Sequence, residues 1–206
     1  MKPLLVALHG WGYDSSFWRP LAEHLPEAEI QAWDLGYYRQ AAMKAPEREA
    51  FALGHSYGVL WFLRHRPFAW RGLISINGFS RYATAPDFPE GVPLAQLERL
   101  RSSVAEATKT ALAGFRQRCG DPVPPPETPD LSRLLASLDH LRDWDARPAQ
   151  PDLALCGKTD KVVPSALSGA TFDAEITHWH EGGHLLPQQH PKWCADQIRA
   201  WLKREI

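Results

Sequence analysis

Cysteine is scarce in this sequence. Cys119, Cys156 and Cys194 are odd in number and widely spaced, so they offer neither a disulfide framework nor a paired-thiol zinc motif. A reducing compartment is expected. Long apolar runs are lacking too. The opening run, Leu4–Leu8, is too short for a signal-peptide core, and no later stretch approaches the roughly 18 apolar residues of a membrane span. Neither sign of charge prevails: 23 Lys and Arg stand against 24 Asp and Glu, leaving a formal net charge of −1. That balance removes the global electrostatic case for nucleic acid or an anionic membrane surface. A cytoplasmic monomer without membrane attachment is expected. What is plentiful is tryptophan, nine in 206 residues, a residue that both lines apolar clefts and fills cores. The length suits one domain with room for an inserted subdomain.

Strand and helix signals alternate along the chain. Leu4–Leu8, Glu29–Trp33, Phe51–Leu53, Gly72–Asn77, Asp152–Cys156 and Glu175–Trp179 read as strands. Phe17–Leu25, which Asp14, Ser15 and Ser16 can cap, Val59–His65 and Trp193–Lys203 read as helices between or after them. This pattern predicts an α/β fold with a mostly parallel sheet of about six strands and helices on both faces. From Phe79 to Pro151 no strand is evident. Leu94–Arg118 and Leu131–Trp144 look helical, with the proline-rich Asp121–Pro129 as a turn between them. Residues 1–78 and 152–206 are therefore expected to form the core, and 79–151 a helical lid.

Ligands of such sheets sit beyond the carboxyl ends of the strands, and His9, Ser56, Asp160 and His184 each follow a predicted strand. Gly54-His55-Ser56-Tyr57-Gly58 fits G-x-S-x-G between a strand and a helix, the setting of a nucleophile elbow, in which a tight turn lifts the serine hydroxyl above the sheet. The alternative is a Ser-Gly turn that merely caps a helix. A serine hydroxyl needs a base to take its proton. His184, in the glycine loop after the last strand, is the candidate. His178 and His180 fall within or at the end of that strand, and His190 precedes Pro191. Reading His178, His180 and His184 as metal ligands lacks carboxylates or thiolates at matching spacing, so no metal is expected. Asp160, in the turn after Asp152–Cys156, can hold the imidazole in the useful tautomer; Asp34 is its competitor. The backbone N–H groups of Tyr57 and Trp11 are the candidate oxyanion hole. Trp11, Tyr57, Phe79 and Leu185 are candidates for lining an acyl channel, with core packing the alternative for each.

These motifs, His9-Gly10-Trp11-Gly12, Gly54-His55-Ser56-Tyr57-Gly58, Gly157-Lys158-Thr159-Asp160 and Gly183-His184, stand in the order of the α/β hydrolases and resemble them over nearly the whole chain. Within that superfamily the first motif with Phe17-Trp18 after it, the stretch Leu138-Asp139-His140-Leu141-Arg142-Asp143-Trp144-Asp145 and Asp160-Lys161-Val162-Val163-Pro164 are similar to the pimeloyl-acyl carrier protein methyl ester esterases of biotin synthesis. The chain departs from that family in starting at the strand before His9, in a short Tyr37–Glu49 segment and in its His55 and Tyr57. The resemblance implies cofactor-free hydrolysis of an acyl methyl ester carried on acyl carrier protein. It also implies a basic lid for the acidic carrier, and Leu97–Cys119 holds Arg99, Arg101, Lys109, Arg116 and Arg118 against only Glu98 and Glu106. A solvated helix face is the alternative for that charge. The rival activities are an acyl-carrier thioesterase or a general short-chain carboxylesterase on the same residues, and, in another class, a non-catalytic binding protein on the same fold.

Overall fold

The computed structural model describes residues 1–126 and 128–205. Six strands form one wholly parallel sheet in the order β2-β1-β3-β4-β5-β6. They are β1 (Leu4–Leu8), β2 (Glu29–Trp33), β3 (Ala50–His55), β4 (Trp70–Ile76), β5 (Leu153–Gly157) and β6 (Thr177–His180). β1, β3 and β5 are buried along their whole length, which is why they read as continuous apolar runs and not as alternating ones. β2 and β6 form the edges, and neither is buried along its length.

Helices α1 (Arg19–His24), α2 (Tyr57–His65), α5 (Ser165–Thr171) and α7 (Pro191–Glu205) follow β1, β3, β5 and β6. The strand order reverses direction between β1 and β3, so right-handed crossovers put α1 and α2 on opposite faces. α7 packs with α1, and its Trp201 meets Phe51 of β3 edge-on at 5.3 Å. Between β4 and β5 the chain carries α3 (Leu94–Cys119) and α4 (Leu131–Asp143), packed on each other. Asp130 caps α4 by accepting from the Arg133 N–H, and Gly120, at φ +89°, ends α3 in the left-handed conformation. No helix among the described residues is long and apolar enough to cross a membrane.

Several boundaries differ from expectation. β3 runs on through Gly54 and His55, so the strand reaches the serine itself. The last strand starts at Thr177, because Ala174–Ile176 is a 3₁₀ turn. Two short helices, α5 and α6 (Leu186–Gln189), were not foreseen. α3 is kinked at Ala107 (φ −146°, ψ 65°), although it holds neither Pro nor Gly before Gly114. Both limbs line a cavity of about 520 Å³, floored by Tyr82 and Val162. The proline-rich stretch has neither helix nor strand at 121–126 and 128–129; Glu127 lies outside the described residues.

Candidate active site

The crevice between the carboxyl ends of β1 and β3 is the point where strand order reverses, and such switch points are where open parallel sheets bind ligands. Ser56 stands there with φ 53° and ψ −122°. A non-glycine residue in that region is strained by about 1–3 kcal/mol and persists only where its surroundings over-determine it. They do so here. The Ser56 N–H donates to the Ile76 carbonyl at 3.0 Å, and the Ser56 carbonyl accepts from Val59 at 3.0 Å. The flanking glycines leave no room for side chains: a Cβ on Gly58 would lie 2.3 Å from the Leu8 carbonyl oxygen, and one on Gly54 2.7 Å from the Val59 side chain. Gly10 passes as closely on the other side, where a Cβ would meet the Ser56 Cβ at 3.1 Å and His55 Nδ1 at 2.8 Å.

His184 and Asp160 form a buried pair. His184 Nδ1 donates to Asp160 Oδ2 at 2.7 Å, and the two residues are 2% and 7% exposed. Asp160 Oδ1 accepts the N–H groups of Val162 (2.7 Å) and Val163 (2.8 Å), so both carboxylate oxygens are occupied and oriented. The loop from β6 returns over the sheet because two residues grip it. The His184 carbonyl accepts from His55 Nε2 at 2.9 Å and from Asn77 Nδ2 at 2.8 Å, and the His55 and His184 rings lie 4.8 Å apart. The residue preceding Ser56 thus holds the backbone of His184.

His55 is wholly buried and lies against Phe17, ring centroids 4.4 Å apart. Burial, with the repulsion of the neighbouring His184 imidazole, keeps its pKa well below the ordinary histidine value. Its Nε2 therefore carries the proton that the His184 carbonyl receives. Asn77 follows β4 at φ +48° and works in both directions: Nδ2 also donates to the Gly183 carbonyl at 3.0 Å, and Oδ1 accepts the Gly157 N–H at 2.8 Å. The sequence reading passed over both roles. A polar residue closing an apolar strand at the ligand edge was the available signal for Asn77.

Asp34, the competing acid, follows β2, at the opposite edge of the sheet from β6 and the His184 loop, and accepts from the Gly36 and Ser15 amides at 2.8 and 3.1 Å. The three cysteines are buried and unpaired, and burial pushes the Cys119 and Cys156 thiols up to about 12, which leaves them poor nucleophiles. Among the described residues no three metal-ligating side chains come together; His178 is bonded to Gln197 and His180 accepts the Gly182 N–H.

Trp11, Tyr57, Phe79 and Leu185 are all buried. The Trp11 indole N–H donates to the Leu134 carbonyl at 2.9 Å, the Tyr57 hydroxyl is bonded to His140 Nδ1 at 2.7 Å, and Phe79 stacks against Tyr82 at 4.7 Å. As the first residue of α2, Tyr57 has an N–H without a partner inside the helix. Of the basic residues on α3, Arg99, Lys109 and Arg118 are exposed, while Arg101 pairs with Asp139 at 2.8 Å. Arg116 corrects the expectation of a surface cluster. It is 7% exposed, with Nη2 donating to the Gly12 carbonyl and Nη1 facing Asp121, so it lies inside the protein and not on the surface.

No protein-family model matches the chain. Curated bacterial proteins named pimeloyl-[acyl-carrier protein] methyl ester esterase do. One from Shewanella sp. is 30% identical over 79% of this chain and 75% of its own length. Another, from Xanthomonas axonopodis pv. citri, is 26% identical over 99% of this chain and 95% of its own. The biotin biosynthesis bifunctional protein BioHC of Cellvibrio japonicus is 27% identical over 90% of this chain, which spans 46% of that longer protein. Among solved structures, an esterase from Exiguobacterium antarcticum superposes with a TM-score of 0.78 at 17% identity, covering 98% of this chain and 92% of that one. A hydrolase from Pseudomonas aeruginosa superposes with a TM-score of 0.74 at 19% identity, covering 98% and 90%. At those identities the likeness shows the α/β-hydrolase fold.

Proposed function

The chain belongs to the pimeloyl-[acyl-carrier protein] methyl ester esterase family of α/β hydrolases and is a carboxylic ester hydrolase, and from that premise we propose that Ser56, His184 and Asp160 are its catalytic triad, acting on an acyl methyl ester borne by acyl carrier protein in biotin synthesis. One observation carries this reading: the Asp160-bound imidazole of His184 is tethered, through its own carbonyl, to the residue next to a strained Ser56.

With Nδ1–H committed to Asp160, Nε2 is the nitrogen left to accept a proton. Ser56 Oγ attacks the ester carbonyl carbon as His184 Nε2 takes its hydrogen. The N–H groups of Trp11 and Tyr57 donate to the oxyanion of the tetrahedral intermediate. Collapse breaks the bond to the methoxy oxygen, the imidazolium returns its proton there, and methanol leaves. Water, deprotonated by His184, then attacks the acyl-enzyme; the acid departs and Ser56 regains its proton. Residues 79–151 act as a lid over this site, and Trp11, Tyr57, Phe79 and Leu185 border the acyl group. The names of the relatives support a carrier-linked substrate. The exposed Arg99, Lys109 and Arg118 supply the positive surface that an acidic carrier would meet.

The test pairs Ser56→Ala with two substrates on one carrier protein, a methyl ester and a thioester. Loss of methyl-ester turnover and of fluorophosphonate labelling in Ser56→Ala, with the methyl ester preferred by the unaltered protein, is the expected result. Full turnover by Ser56→Ala refutes the nucleophile, and preference for the thioester refutes the substrate.

A further inference from the structure

The proposed oxyanion hole needs more than the presence of the Trp11 N–H: a donor must lie about 2.7–3.1 Å from where the oxygen develops charge, so the loop that carries it has to be fixed. Its upstream side is fixed by the close passage of Gly10 against Ser56 and His55. The downstream side is fixed by the α3–α4 segment. Gly12 sits at φ +74°, and a Cβ there would meet Leu112 of α3 at 3.3 Å. The Trp11 ring meets Phe115 of α3 edge-on at 4.7 Å, and its indole N–H reaches the Leu134 carbonyl of α4 at 2.9 Å.

The strongest of these ties is Arg116. Its Nη2 donates to the Gly12 carbonyl at 3.1 Å, and the Tyr38 hydroxyl donates to the same oxygen at 2.8 Å, so both lone pairs are engaged. The guanidinium carbon lies 4.7 Å from the Tyr13 ring centroid and 5.8 Å from that of Tyr38. Asp121, 3.4 Å from Nη1, balances the charge, and both side chains of that pair are about one-tenth exposed. Nε is buried with no partner among the described residues. A buried cation with an idle donor is a costly way to fill space that an apolar side chain of similar length would fill. What the guanidinium provides beyond bulk is a planar group that reaches one particular carbonyl while lying across two rings.

We propose that Arg116 is a positioning residue for ester hydrolysis: through the Gly12 carbonyl it sets the peptide that presents the Trp11 N–H, so the helical segment between β4 and β5 shapes the oxyanion hole as well as covering it. This rests on the serine-esterase reading above. The side chain touches no reacting atom and acts through the loop.

The experiment uses Arg116→Met, which keeps length and apolar bulk, and Arg116→Lys, which keeps the charge on a single donating nitrogen without the planar fork. Both are assayed on p-nitrophenyl acetate, a small free ester that involves no carrier docking, with active sites counted by fluorophosphonate labelling. In Arg116→Met, kcat per labelled site is expected to fall on the order of 10–100-fold, below the ~10²–10³ of removing an oxyanion donor outright. KM should move less than about threefold, because a transition-state contact and not ground-state binding has been loosened. Inhibition by a trifluoromethyl ketone, whose adduct places an oxyanion in the hole, should weaken by the same factor. Arg116→Lys should lie between the two, and its value decides the matter if the Met variant does not fold. The proposal is overturned if kcat per labelled site stays within twofold of the unaltered protein in the variants that fold, or if only the labelled fraction falls. Failure of the underlying reading looks different, since the unaltered protein would then escape labelling at Ser56.

Discussion

Replacing Asn77 with alanine should loosen the His184 loop and destabilise the fold together. The side chain donates to the carbonyls of Gly183 and His184 and accepts from the Gly157 N–H. The His184 carbonyl keeps its bond from His55, so Asn77→Ala strands two groups: the buried Gly157 N–H and the partly buried Gly183 carbonyl. Each stranded group costs about 1–3 kcal/mol, the lower figure applying to Gly183, where water can approach. Alanine at φ +48° adds about 1 kcal/mol, since asparagine tolerates the left-handed region better. The total is about 3–5 kcal/mol, or a melting point lower by roughly 6–20 °C for a domain of this size. Calorimetry measures that drop. Ester turnover per folded molecule, measured well below the transition, should fall as well, because His184 loses one of the two groups holding its carbonyl. Asn77→Asp is the sharper control. It keeps the size, the backbone preference and the acceptor for Gly157, but turns an oxygen toward the two carbonyls, so it should be at least as damaging at neutral pH. A melting point within 2 °C of the unaltered protein, with full turnover in both variants, would refute the account of Asn77 as the brace of this loop.

Asp160→Asn should lower kcat on the order of 10⁴-fold with little change in melting point. The new amide oxygen can still accept from Val162 and Val163, but its NH₂ faces His184 Nδ1 and drives the imidazole proton to Nε2, where the hydroxyl proton must go; a loss under tenfold would be incompatible with an orienting carboxylate. His55 should make stability pH-dependent. Its folded pKa is depressed, so below about pH 6.5 the unfolded chain binds a proton that the folded one refuses, and stability falls with pH by up to roughly 1.4 kcal/mol per unit from this site alone. Denaturant titrations of the unaltered protein and His55→Gln between pH 4.5 and 6.5 should show the shallower dependence in the variant, and equal slopes would sink the claim.

The buried strands β1 and β5 were legible as apolar runs, a signal that needs no tertiary context, and the edge strand β2 by the Asp34 and Gly36 that follow it. Leu4–Leu8 and Glu29–Trp33 match the observed strands residue for residue. That the loops bearing Ser56, Asp160 and His184 share one edge was legible for a related reason: in a parallel sheet every strand end on one side faces the same crevice. What escaped depends on contacts between distant segments. Neither Pro nor Gly marks Ala107 as a kink; only the folded chain shows both limbs of α3 bordering one cavity, with the second limb also meeting the Gly12 loop. Arg116 read as surface charge because a basic residue on a polar helix looks alike whether it faces water or two tyrosine rings. Asn77 read only as the end of a strand and His55 only as a residue of the elbow motif, because their partners lie 80 to 129 positions away.

The His55 tether also bears on how the molecule breathes. One imidazole links the turn bearing Ser56 to the loop bearing His184, across 129 positions of chain. Opening of the β6–α6 loop cannot be a private event of that loop, since releasing residue 184 uncouples the elbow from its brace in the same motion. Two segments that look like separate surface excursions therefore form one cooperative unit, and the placements of Ser56 and His184 are lost or kept together when the protein fluctuates.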